Sequence, residues 1–98
     1  VFQALDDISA DVRAEAVTLI GKSCDAEDVE DILVRKLTDQ DTQVRKNTAM
    51  SLMKLEAFNA IESIKAAKLT EKDKSVKAVF NVAVNILSKD LQAEQENE

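Results

Sequence analysis

The sequence predicts an all-α fold, an α-solenoid of stacked antiparallel helix pairs. Three observations predict it. Proline is absent and glycine occurs once, at Gly21, among 98 residues rich in helix formers. A skeleton recurs at a fixed interval: "LDDISADVRAEAVTLI" from Leu5, "LTDQDTQVRKNTAMSL" from Leu37 and "LTEKDKSVKAVFNVAV" from Leu69, each start 32 residues after the last. Within each copy the apolar residues fall at i, i+4 and i+8, the spacing of one buried helical face.

The first element in each copy's second half is a helix. Val12, Val44 and Val76 coincide across the copies, followed by Arg13, Arg45 and Lys77. Ala16, Thr48 and Phe80 lie one turn on, and Ile20, Leu52 and Val84 a turn further, with Leu19 and Ala83 adding i+7. Ser9, Asp41 and Asp73 stand three residues before each valine. Their side-chain oxygens suit them to accept from first-turn amides, so helices should begin near residues 10, 42 and 74. A second kind of helix precedes two of these. "AEDVEDILVRKL" puts Val29, Ile32, Leu33 and Leu37 on one face with Asp25 as cap, and "FNAIESIKAAKL" puts Ile61, Ile64 and Leu69 in matching columns. Each unit is thus helix, turn, helix. One such unit cannot bury its apolar face alone, whereas stacked copies share a core. The units run over about 1–23, 24–55 and 56–89, with an acidic tail expected to be flexible over 90–98.

The turns carry a recurring pair of opposite charges. Asp7, Asp39 and Glu71 lie beside the turn; Arg13, Arg45 and Lys77 lie near the helix start. Stacking brings the two columns together, and a guanidinium fork can bridge a carboxylate and backbone acceptors. These six residues are read as a structural ladder rather than a reactive site. "DISADVR" and "DQDTQVR" also resemble the inter-helix turn of HEAT repeats, most closely the short variety related to phycobilin lyases. The resemblance covers nearly all of the chain except the tail, about two and a half HEAT-like repeats. It implies right-handed stacking with the second helices on the concave side. The third copy departs, with Lys77 where the others have arginine. Ala10, Thr42 and Lys74 stand where the family often has proline.

The two ends differ. The chain begins at Val1 rather than Met and has lost most of a first helix, which suggests a piece of something longer. Phe2, Leu5 and Val12 should then be uncovered. The last helix carries a second apolar stripe, Val79, Val82 and Ile86, whose upstream equivalents are polar or mixed. Unless Leu91 or tight packing covers it, such a stripe marks a contact face. Asn47, Met50, Val79, Val82 and Ile86 are therefore the candidate protein-binding residues. Lys77, Asn81 and Asn85 form a polar stripe on the other flank, read as solvent-facing.

Chemistry is constrained by what is missing. There is no histidine, so Ser-His and Cys-His catalysis and imidazole metal sites are ruled out for this segment. No glycine-rich phosphate loop is present. Asp25, Asp28 and Asp31 lack the pattern of a calcium loop. The single cysteine, Cys24, cannot form an internal disulfide, in keeping with a reducing cytoplasm. A net charge of −6 disfavours nucleic acid, and no apolar run reaches the length of a membrane span. These readings lead to an expected protein–protein interaction module, a scaffold or adaptor that is not an enzyme and holds no cofactor or metal. Its partner would be another protein, with self-association through an apolar end as a further outcome. The resemblance carries an alternative from another class: some proteins with such repeats are bilin lyases or isomerases, handling a chromophore or its carrier protein.

Overall fold

Each second helix starts where an acid or a hydroxyl stops the preceding turn. The computed structural model describes residues 2–96. A 3-10 turn at Phe2–Asp6 leads into α1 (Ala10–Ser23), followed by α2 (Ala26–Lys36), α3 (Thr42–Lys54), a short 3-10 turn at Phe58–Ala60, α4 (Ile61–Thr70) and α5 (Lys74–Glu96). The second helices begin at residues 10, 42 and 74, one repeat length apart. Ser9 accepts from the Val12 amide, Asp41 from Gln43 and Val44, and Asp73 from Ser75 and Val76. Asp25 precedes α2 without such a bond; its backbone carbonyl accepts from Asp28 instead.

Helix α1 packs on α3 and α3 on α5, while α2 closes against α3 and α4 against α5. The core follows the predicted columns: Val44, Val76, Thr48, Phe80, Ile20 and Leu52 are all sealed from solvent. Thr48 is tolerated there because its hydroxyl donates to the Val44 carbonyl, 2.7 Å away. Three apolar expectations differ, one being Leu19, which is 43% exposed although the i+7 spacing placed it on the buried stripe. Leu69 is 87% exposed, although its counterpart Leu37 is buried. Leu37 lies beside Ala67 and Thr70 of the next repeat's first helix, α4, whereas no such helix follows Leu69 among the described residues. Leu5 is buried rather than uncovered, because the 3-10 turn folds it back onto α1. Phe2 and Val12 do lie open, with Leu19 beside them.

The carboxyl end of α3 uses a left-handed residue. Glu56 has φ 53°, its amide donates to the Met53 carbonyl, and the Ala57 amide donates to Leu52. This is a Schellman cap with a glutamate where glycine is usual. With no glycine or proline after Gly21, α5 continues without a break to Glu96, so the acidic segment from residue 90 is helical as far as Glu96. The last two residues of that expected tail, and Val1 at the start, lie outside the described residues.

Candidate functional site

The inter-repeat ladder sets the frame. Arg13 donates from Nε and Nη2 to the two carboxylate oxygens of Asp39, at 3.0 and 3.1 Å. Its Nη1 turns back to the carbonyls of Asp7 and Ile8. Arg45 repeats the arrangement one unit on, reaching both Glu71 oxygens at 2.7 and 3.0 Å and the carbonyls of Asp39 and Gln40. Each arginine thus closes its own turn and grips the acid of the next repeat. Glu71 holds its place as well as Asp39 does, because its oxygens also accept from the Asp73 amide as Asp39 accepts from Asp41. Burial pushes the carboxyls of Asp39 and Glu71 up, but their arginines and these amide donors outweigh it and hold both below the ordinary carboxylate range. Lys77, at the third arginine position, is exposed, and none of the ion pairs among the described residues includes it.

The two seams between second helices differ sharply. Between α1 and α3 the approach is close: a Cβ added at Gly21 would lie 2.6 Å from Ser51 Cβ and 3.0 Å from Ser51 Cα. Ser51 Oγ donates to the Val17 carbonyl at 2.8 Å, and the Asn47 amide donates to the Ala14 carbonyl at 3.2 Å. One repeat later the same positions are Met53 for Gly21, Ala83 for Ser51 and Val79 for Asn47. The glycine has become a long flexible thioether, and both polar stitches have become apolar. The α3/α5 seam therefore stays parted and dry-walled.

An apolar groove of about 300 Å³ results, lined by Met50, Met53, Ala78, Val79, Val82 and Ala83. Three of the five candidate contact residues, Met50, Val79 and Val82, line it, and Ile86 stands one helical turn further along α5. Val82 is 51% exposed, Met50 41% and Ile86 39%, with Val79 half-buried between them. Asn47 stands apart, half-buried in the α1/α3 seam and bonded to Ala14 and Gln43. Leu91 does not cover the stripe, since it packs on the other side beside Phe58 and Ile61. Sequence reading missed Met53, Ala78 and Ala83. The substitution of Gly21 and Ser51 by Met53 and Ala83 at the repeat interval was the signal that could have found them.

The geometry agrees with sequence comparison. A profile of HEAT repeats matches residues 1–85. The chain belongs to the HEAT-repeat family. This HEAT-repeat chain is also similar to the bilin biosynthesis protein MpeU of Synechococcus sp. (strain WH8020), 45% identical over 89 residues. That alignment takes in 91% of this chain but 30% of the relative, so the chain spans less than a third of the relative's length. No solved structure gives a significant match. The likeness corrects the expectation that the chain is not an enzyme, because a segment of this kind lies within a protein named for biosynthesis. The inference from missing histidine reached too far: it excludes imidazole chemistry within these residues and says nothing of a biosynthetic protein to which such a segment contributes. Among the described residues no helix is long and apolar enough to cross a membrane.

Proposed function

We propose that this chain is the repeat-built binding segment of a bilin biosynthesis protein, with the α3/α5 groove as the face that meets the chromophore or the protein carrying it. The observation that carries the reading is an uncovered apolar groove, 300 Å³ in volume, in a chain 45% identical to a bilin biosynthesis protein. A bilin is a long conjugated molecule with apolar faces, and a groove floored by methionine and valine offers adaptable apolar contact. The ladder supports the same reading from the other direction. Rigid stacking of the repeats holds Met50 on α3 at a fixed offset from Val82 on α5, so the groove exists before a ligand arrives.

The test is a Val82→Asp, Ile86→Asp double variant, checked by circular dichroism. Binding of a bilin is followed by absorbance, and binding of a bilin-carrying subunit by co-elution. The folded variant should lose at least one of the two interactions shown by the parent chain. Retention of both at full strength would remove the groove from the function.

A further inference from the structure

The two edges of the stack are built differently. Ser51 of α3 faces α1, so its equivalent one repeat earlier, Leu19, marks the side of α1 turned away from α3. Val12 stands two turns before Leu19 on the same face. They are 39% and 43% exposed. In the later repeats the same positions are Val44 and Ser51, then Val76 and Ala83, none more than 3% exposed. There the preceding second helix lies alongside: Ser51 donates to the Val17 carbonyl of α1, and Ala83 lies beside Met50 and Met53 of α3. The far edge is finished instead. Val17 and Gly21, which meet α3, correspond to Ala49 and Met53 and then to Asn81 and Asn85, both exposed on α5. Amides there bond to water, as suits the outer face of a terminal repeat.

The apolar edge also carries an open rung of the ladder. The Asp7 carboxylate accepts from the Ser9 amide at 2.8 Å, as Asp39 accepts from Asp41 and Glu71 from Asp73. Those two acids are each gripped as well by the arginine 26 residues earlier, Arg13 and Arg45. Asp7 has the same turn, but none of the ion pairs among the described residues includes it.

We propose that this edge of α1 is a docking face for one further helix pair of the same kind, whose second helix covers Val12 and Leu19 and brings an arginine to Asp7. The face continues the α1/α3 and α3/α5 interfaces by one step, with the charges complementary and in register. The matched segment is 30% of the bilin biosynthesis relative, a proportion that leaves chain for such a pair. A second copy of this chain fits less well, because its α5 would set Asn81 and Asn85 against the apolar edge and offer Lys77 in place of arginine. The inference does not depend on the α3/α5 groove.

The experiment extends the chain with its own sequence. Val1 corresponds to Leu33, so a copy of residues 10–32 joined ahead of Val1 keeps the register and sets the copied Arg13 26 residues before Asp7. Thermal unfolding by circular dichroism compares the parent and the extended chain, each with and without Asp7→Asn. Asparagine keeps an oxygen for the Ser9 amide and loses the charge. The extended chain should gain helix and melt in one transition above the parent. Asp7→Asn should lower the Tm of the extended chain by about 5 °C or more and leave the parent within about 3 °C. An extension that adds no helix, that melts separately, or that leaves Asp7→Asn equally mild in both chains would overturn the proposal. So would a dimer of the parent chain in sedimentation that Lys77→Glu abolishes, because the occupant would then be a second copy.

Discussion

Replacing Gly21 by alanine tests whether the α1/α3 seam is as close as the geometry requires. The added Cβ meets Ser51 Cβ at 2.6 Å and Ser51 Cα at 3.0 Å. Neither atom can swing away, since both are fixed by the α3 backbone, so the helices must part. Overpacking of this kind costs about 1–3 kcal/mol. Parting also stretches the buried bond from Ser51 to the Val17 carbonyl, about 1 kcal/mol more. Against this, alanine is favoured over glycine within a helix by about 1 kcal/mol. The net expectation is a loss of about 2 kcal/mol, a fall in Tm on the order of 10 °C for a domain of this size. Thermal unfolding followed by circular dichroism reads it directly. The double variant Gly21→Ala, Ser51→Gly makes room for the methyl group and should cost less than the two single changes added together. A Gly21→Ala protein as stable as the parent, or a double variant that is simply additive, would refute the close seam.

Glu71→Gln should cost about 2 kcal/mol in denaturant titration, because it leaves Arg45 without its charged partner at a buried rung. Asp39 and Glu71 have folded-state carboxyls held below their ordinary range, so the unfolded chain takes up protons first on acidification. Their stabilising contribution is thus complete near neutrality and declines as pH falls below about 4.5 and through the depressed folded values; the Glu71→Gln variant should show a shallower decline, and an identical one would count against the ladder. Glu56→Gly should raise stability by about 0.5–1 kcal/mol in the same titration, by relieving a left-handed glutamate at the α3 cap. Phe80→Ala should lose about 3–5 kcal/mol, whereas Val82→Asp, two residues on but 51% exposed, should stay within about 0.5 kcal/mol of the parent.

Much of this architecture was legible because its causes are local. The helix starts at 10, 42 and 74 follow from a capping oxygen placed before a buried valine, and three copies at one interval leave little freedom. The N-cap expected of Asp25 failed for an equally local reason: its side chain makes no cap bond, and its carbonyl begins the helix instead. What lay beyond the sequence was relational. The columns of acids and bases suggested proximity, but not that Arg13 would reach forward 26 residues to Asp39 while turning Nη1 back to its own loop. The excess stripe of Val79, Val82 and Ile86 was visible as a pattern. That it borders a groove, with Met53 and Ala83 at its seam, depends on how far two helices stand apart. Leu69 misled because the burial of its column depends on a following first helix, which α4 gives Leu37 and which no described element gives Leu69.

The double grip of each ladder arginine has a consequence for how the molecule comes apart. Arg45 holds the backbone of its own turn with one nitrogen and the neighbouring repeat's acid with two others. Melting one repeat therefore strips the restraint from the next turn as well, and damage to a single rung spreads along the array. In a linear chain of coupled units, such nearest-neighbour linkage is what converts a row of weak modules into a single cooperative melting transition.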